Sequence, residues 1–216
     1  MITEVPVAET PSQALPVTDL GFGRYFADRM FTQRYVRGRG WHDATIGPYA
    51  PITLDPAAQV LHNGQMIFDG TKAYRRPDGR INLFRPERNA ERFNRSATRM
   101  GMPEVPVEAH VAAIEALVAR ESRWVPSEPQ TALYIRPVMI ATEKALAIRA
   151  PAEFLHYIIL SPVAPYFAGG FAPVAVYVAE QWVRAVRGGT GEAKTPGNYA
   201  GSIVATEEAI ARGYAQ

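Results

Sequence analysis

Apolar residues recur along this chain with two different periods, and the switches between them divide it into elements. Alternation at a period of two, rich in β-branched and aromatic residues, predicts strands over residues 30–36, 65–75 and 81–84. Pro77-Asp-Gly79 supplies the turn between the last two, since proline presets one turn dihedral and glycine accepts positive φ. A period near 3.6 then takes over. Pro86 opens a helix predicted over residues 86–100, with Ala90, Phe93, Ala97 and Met100 on one face; a proline in the first turn gives up an N–H that has no partner there anyway. A second helix, predicted over residues 107–123, buries Val111, Ile114, Leu117 and Val118. Strand patterning returns at residues 132–140, 153–162 and 174–178, and a last helix over residues 199–214 turns Ile203, Val204, Ala209 and Ile210 inward. This order of elements predicts an α/β protein of the α+β type.

Composition narrows the class. With 216 residues, 47% hydrophobic and 20% charged, the chain can bury a core of ordinary size. A net charge of +2 spread along the chain predicts no nucleic-acid partner, and the arginines from Arg24 to Arg39 read as a solvated strand face. The absence of cysteine excludes disulfides and thiolate metal sites. His42, His62, His110 and His156 have neither i,i+4 pairing nor H-E-x-x-H spacing, so no metal is expected. Residues 1–20 read as a loosely ordered extension: Pro6, Pro11 and Pro16 interrupt it, and no basic start leads into an apolar core as in a signal peptide. No apolar run approaches the roughly 18 residues of a membrane span, and a cytoplasmic location is expected.

The segment with the most chemistry lies near the end, Gly188-Gly-Thr-Gly-Glu-Ala-Lys-Thr-Pro-Gly-Asn-Tyr199. Its Lys194 stands among Gly188, Gly189, Gly191 and Gly197, which let a backbone adopt positive φ and approach a flat ring, while Tyr199 offers a phenol. An ordinary lysine is protonated at neutral pH, so one that attacks an aldehyde must be desolvated or set beside other positive charge. The same residues come close to the phosphate-cradling G-x-x-x-x-G-K-[ST] loop. Ala193 replaces its last glycine, Pro196 removes an N–H where the helix would meet the anion, and no aspartate follows Thr195. A nucleotide site is therefore the weaker reading.

Six stretches, in order, carry a resemblance: Ile52-Thr-Leu-Asp-Pro-Ala57, Val60-Leu-His-Asn-Gly-Gln-Met-Ile-Phe-Asp-Gly-Thr-Lys-Ala-Tyr74, Leu83-Phe-Arg-Pro86, Leu133-Tyr-Ile-Arg-Pro-Val138, Ser161-Pro-Val-Ala-Pro-Tyr-Phe-Ala-Gly-Gly170 and the lysine segment. From about Gly21 onward the chain resembles the branched-chain amino-acid aminotransferases, which are fold-type IV enzymes dependent on pyridoxal 5'-phosphate. The resemblance implies that Lys194 binds the coenzyme covalently and shuttles the substrate proton, that Tyr199 holds the coenzyme's phenolic oxygen, and that Arg92 grips its phosphate. A planar, permanently charged guanidinium suits that last task. It also implies that Phe22, Phe68, Tyr134 and Tyr166 wall the pocket for an aliphatic side chain, with Arg136 receiving the distal carboxylate of glutamate. Leu146 and Ile148 would reach in from a partner subunit of a homodimer. The reaction implied moves the amino group of leucine, isoleucine or valine to 2-oxoglutarate, giving glutamate.

Three positions depart from the family pattern. Asn63 stands where many relatives have a tyrosine, Asp69 replaces a more usual glutamate, and Pro196 replaces a glycine; the shortening at Asp69 reads as tolerated. The resemblance divides the chain into a complete small α/β domain at 21–160, an interdomain linker at 161–173 and an incomplete start of the large cofactor-binding domain at 174–216. The carboxylate that pairs with the pyridine nitrogen would lie beyond Gln216, since Glu207 and Glu208 read as exposed helix charges, so the expectation is a truncated transaminase. Alternatives within reach are a D-amino-acid transaminase, an aminodeoxychorismate lyase, or an inactive remnant that serves as a dimerising module.

Overall fold

The computed structural model describes residues 1–6, 19–165 and 172–215. Eight strands form one sheet: β1 (Thr3–Glu4), β2 (Arg29–Val36), β3 (Gly40–Pro48), β4 (Met66–Phe68), β5 (Thr71–Arg75), β6 (Ile81–Leu83), β7 (Ala132–Ala141) and β8 (Glu153–Val163). The order across it is β1-β3-β2-β8-β7-β5-β6, with β4 also paired to β7. Every pairing is antiparallel except β1 with β3. The longest strands, β7 and β8, run together from Ala132↔Val163 to Ala141↔Phe154 and form the spine.

Two helices cover one face. In α2 (Pro86–Arg99), Ala90, Phe93 and Ala97 are buried while Arg88 and Arg95 stay in water, and Gly101 at φ 65° ends the helix in the left-handed conformation. α3 (Val107–Arg120) buries His110, Ala113, Ile114, Leu117 and Val118; Val111, expected inside, is only half-buried. Ile114, Leu117 and Trp124 pack against Phe31, Leu133, Ile135, Ile158 and Leu160 of the sheet. Phe93 and Ala97 pack against Ile67, Met139 and Phe154. Alternation along β7 sends Tyr134, Arg136, Val138 and Ile140 to the opposite face, where Val138 and Ile140 meet Leu155, Ile52, Leu54 and Phe68.

Several expectations change. The strand expected over 65–75 is two strands, because Asp69 and Gly70 interrupt the ladder between β4 and β5. The gap lies opposite Pro137, whose carbonyl still accepts from the Asp69 N–H at 2.9 Å and which has no N–H to lose. The helix expected to reach residue 123 ends at Arg120. Its last turn tightens into the 3₁₀ turn Ser122–Trp124, which buries Trp124 completely and sends the buried Glu121 carboxylate to the Asp28 N–H (3.0 Å) and to Arg29 (2.8 Å). Of the arginines from Arg24 to Arg39, only Arg29 is drawn inward in this way.

The N-terminal residues are not all loose: Thr3–Glu4 pairs with β3, although residues 7–18 lie outside the described ones. β8 runs on to Val163, into the segment expected as linker. Residues 174–178 form no strand, and Val174, Val176 and Val178 are exposed: among the described residues the Ala175 carbonyl accepts the Ala215 N–H at 3.1 Å, but no strand lies alongside to extend this into a ladder. The expected helix over 199–214 is broken at Gly201 and Ser202 into α4 (Pro196–Ala200) and α5 (Ile203–Ala211). Only Ala209 of its apolar face is buried; Ile203, Val204 and Ile210 are exposed.

The core holds two stacked histidines. His110 and His156 lie 5.1 Å apart between Phe93, Phe31 and Trp41, with Gln33 at 3.0 Å from His156 Nδ1. Both nitrogens of His110 are buried without a partner among the described residues, and burial lowers its pKa from 6.5 to about 4, with Asp69 pulling the other way. The folded protein thus resists a proton that the unfolded chain accepts. Stability conferred by neutral His110 is complete above pH 6.5 and is lost as pH falls toward 4, at about 1.4 kcal/mol per pH unit. His110→Phe is expected to lose about 2 kcal/mol less than the wild type between pH 7 and pH 5 in urea unfolding; an unchanged difference would place the pH dependence elsewhere.

Candidate active site

The break between β4 and β5 builds the site on both faces of the sheet. Asp69 points to the helical face and is fully buried, where its carboxylate accepts Arg92 Nε (2.8 Å), Arg92 Nη2 (2.7 Å), Asn89 Nδ2 (3.3 Å) and the Gly70 N–H (2.6 Å). A carboxylate taken out of water needs such a set of donors. The pairing raises the Arg92 pKa further, with smaller contributions from Tyr199 and Tyr134. One edge of the guanidinium is thereby fixed, and Nη1 is left uncommitted among the described residues.

Gly70 serves the other face. A Cβ there would lie 1.9 Å from the Tyr134 hydroxyl, so only glycine lets that ring lie across the gap. The Tyr134 hydroxyl accepts from Arg136 Nη2 at 2.9 Å, and the Arg136 guanidinium also sits 4.7 Å from the centroid of Phe68. Phe22 meets Tyr134 edge-on at 4.9 Å.

Lys194 closes the cluster. Its Nζ donates to the Tyr199 hydroxyl at 2.6 Å and lies 4.5 Å from the Phe68 centroid and 4.6 Å from that of Tyr199. The two rings are themselves 5.0 Å apart. The backbone around the lysine is tied down: its carbonyl accepts from the Phe68 N–H (3.0 Å), and the Thr195 hydroxyl donates to the Met66 carbonyl (2.8 Å). Buried Asn198 holds the turn from inside, donating to the carbonyls of Thr190 (2.7 Å) and Ala193 (2.8 Å). Of the four nearby glycines only Gly188 has positive φ, at 78°; Gly191 is needed for space, since a Cβ there would meet Ala185 Cβ at 2.5 Å. Pro196 begins α4 in its first turn, where its fixed φ suits a helix start.

The structure thus brings Lys194, Tyr199, Phe68, Tyr134, Arg136 and Phe22 together, with Arg92 and Asp69 beneath. Leu146 and Ile148 are not in this cluster: they lie on the β7–β8 connection, 69% and 93% exposed. Fully buried Gln59, in α1 (Gln59–Asn63), holds that connection by donating to the carbonyls of Ala147 (3.2 Å) and Arg149 (3.1 Å). Tyr166 lies outside the described residues. Asn63 ends α1 with its side-chain nitrogen buried and without a partner among the described residues.

Arg184, 5.7 Å from the Tyr199 centroid, and Asn89, which donates to the Gly70 carbonyl at 3.1 Å, join the site without any motif in the sequence to mark them. Glu207 is exposed and Glu208 pairs with Arg212, so neither enters the cluster. A phosphate loop does not form either: among the described residues no strand leads directly into the lysine loop, and the Thr195 hydroxyl is already committed to Met66. A recess of about 560 Å³ lies elsewhere, under residues 50–55, but its Asp55 and Lys144 are paired with each other at 2.9 Å. Among the described residues no three His, Cys, Asp or Glu converge as for a metal, and no helix is long and apolar enough to cross a membrane.

The comparisons with known proteins point one way. No protein-family model matches the chain. It is 50% identical over 218 residues to a probable branched-chain-amino-acid aminotransferase of Streptomyces coelicolor, covering 96% of this chain and 60% of that protein. It is also 50% identical over 200 residues to branched-chain-amino-acid transaminase 1 of Bacillus subtilis, covering 92% and 56%. The chain therefore spans less than two thirds of the length of these curated relatives. Among solved structures, a T.th. branched-chain amino acid aminotransferase complexed with N-(5'-phosphopyridoxyl)-L-glutamate is 26% identical, with a TM-score of 0.59 over 84% of this chain and 55% of its own. The Escherichia coli branched-chain aminotransferase, 20% identical, shares the fold with a TM-score of 0.63.

Asp69→Asn keeps one acceptor oxygen and cannot take both N–H groups of that guanidinium edge, and the substitution is expected to cost about 1.5–3 kcal/mol in urea unfolding. Arg88→Ala, which removes an exposed ion pair to Glu91 on the same helix, is expected to cost far less. Equal losses would mean that Asp69 is not the anchor of this face.

Proposed function

We propose that this chain, a homologue of the branched-chain amino-acid aminotransferases over the part of their length that it spans, carries the lysine half of a pyridoxal 5'-phosphate transaminase site. The observation that carries the reading is the 2.6 Å contact from Lys194 Nζ to the Tyr199 phenol. On a pyridoxal ring the aldehyde carbon and the phenolic oxygen are on adjacent carbons, so an amine and a phenol one hydrogen bond apart match them as a pair. When bound, the coenzyme supplies an aldehyde that exchanges with amines and a ring that withdraws electrons.

The residues of the chain do the rest. Lys194 holds the coenzyme and moves a proton at the substrate Cα, Tyr199 donates to the phenolic oxygen, and Arg92, pinned by Asp69, presents Nη1 to the phosphate. Phe68, Phe22 and Tyr134 shape an apolar wall for leucine, isoleucine or valine, whose burial is worth about 1.5–3 kcal/mol. Arg136, beside that wall, takes the second carboxylate of 2-oxoglutarate or glutamate without obstructing an aliphatic group. Leu146 and Ile148, exposed on their connection, fit a role against a second copy of the chain. No carboxylate for the ring nitrogen stands in this cluster among the described residues, so complete amino transfer is proposed for the protein that has the relatives' full length.

The sequence holds three lysines, Lys72, Lys144 and Lys194, which makes the test clean. Pyridoxal phosphate reduced onto the chain with borohydride is expected on Lys194 in at least tenfold excess over the other two, by peptide mass spectrometry, and Tyr199→Phe is expected to lower that excess. Equal labelling of all three lysines would overturn the assignment.

A further inference from the structure

Arg92, Ser96 and Arg99 follow one another on α2 at spacings of about one helical turn, and the last two contact the lysine loop. Arg99 donates to the carbonyls of Gly188 (3.1 Å) and Gly189 (2.8 Å) and pairs with Glu192 at 3.5 Å, so it grips the start of the loop. Ser96 grips the lysine itself. Its hydroxyl, on a residue only 1% exposed, donates to the Arg92 carbonyl at 3.0 Å and accepts the backbone N–H of Lys194 at 2.9 Å.

We propose that Ser96 is a positioning residue that sets Lys194 in register with Arg92, so that the amine for the aldehyde and the guanidinium for the phosphate are held at one fixed separation by a single helix. The inference rests on the function proposed above and adds a residue to it. The Lys194 backbone has two ties. Its carbonyl is held by the Phe68 N–H of β4, and its N–H by Ser96. The first is backbone to backbone, and only a proline in place of Phe68 would remove it. The second is a side chain that evolution or mutagenesis can delete.

A single oxygen does both jobs because it donates with its hydrogen and accepts with a lone pair. Alanine at this position would fit the space and leave the N–H of Lys194 buried with nothing to meet it, a state that a loop relieves by moving out to water. The Nζ would then leave the gap between Phe68 and Tyr199. Threonine keeps the hydroxyl and should keep the register.

Wild type, Ser96→Ala and Ser96→Thr are compared in three measurements. Deuterium exchange of the Lys194 amide is expected to be about tenfold faster in Ser96→Ala. Acetylation of Lys194, normalised to Lys72 and Lys144, is expected to rise about threefold as the amine is released from its rings, while borohydride-trapped pyridoxal phosphate on Lys194 falls about tenfold. A loss of general stability would move all three lysines together and would not send acetylation and trapping in opposite directions. Ser96→Thr is expected to restore wild-type values. Trapping in Ser96→Ala equal to wild type overturns the proposal. Failure of the wild type itself to trap on Lys194 would sink the functional reading instead, and unchanged exchange and acetylation in Ser96→Ala would then overturn the hold of Ser96 on its own account. If Ser96→Ala does not fold, Ser96→Cys, whose thiol is a weak acceptor, takes its place with the same expectations.

Discussion

The buried carboxylate of Asp69 is the constraint from which the arrangement of the site follows. A carboxylate out of water must be met by donors, and four are assembled around it from Arg92, Asn89 and the next peptide of the chain. To collect them the chain leaves its ladder with β7 for two residues. The gap fixes Arg92 on the helical side, and on the other side it leaves glycine under the Tyr134 ring, which in turn receives Arg136. The groups proposed for phosphate and for substrate carboxylate therefore owe their positions to the same interruption, although they lie on opposite faces of the sheet.

Much of the scaffold was legible from periodicity, and the failures have particular causes. The strands β7 and β8 and the helix α2 bury one face strongly, so their patterns are plain. β3 gives no periodic signal, since Ile46 alone in it is buried and its remaining residues show no alternation. The run 65–75 was read as continuous because alternation carries on across Asp69 and Gly70; only the cost of an acid on an inward position could have marked the gap. Apolar patterning also misled. Residues 174–178 and the face of α5 have the right periods, but a period reports what could be buried, and only a neighbour buries it.

At the site, the lysine, the tyrosine five positions on and the arginines were visible as residue types with a known chemistry. Their partners were not. The pattern marks Asp69 only as a shortened glutamate, and its place as the hub of the helical side comes from contacts with Arg92 that no local motif announces. Ser96 passed unnoticed, although a serine inside the stripe of Ala90, Phe93 and Ala97 is itself a signal: a buried hydroxyl needs something to bond, and one turn of helix could supply only half of it. Lys194, far along the chain, supplies the other half.

The tether between Gln59 and the β7–β8 connection has a consequence for how such proteins diversify. One side-chain amide fastens the connection at two carbonyls, and Leu146 and Ile148 beside them project outward into solvent. Insertions, deletions or exchanges in that connection can accordingly re-aim Leu146 and Ile148 while leaving every core contact in place. A grafted connection of altered length is therefore the natural starting point for moving those two side chains while the sheet beneath them stays as it is.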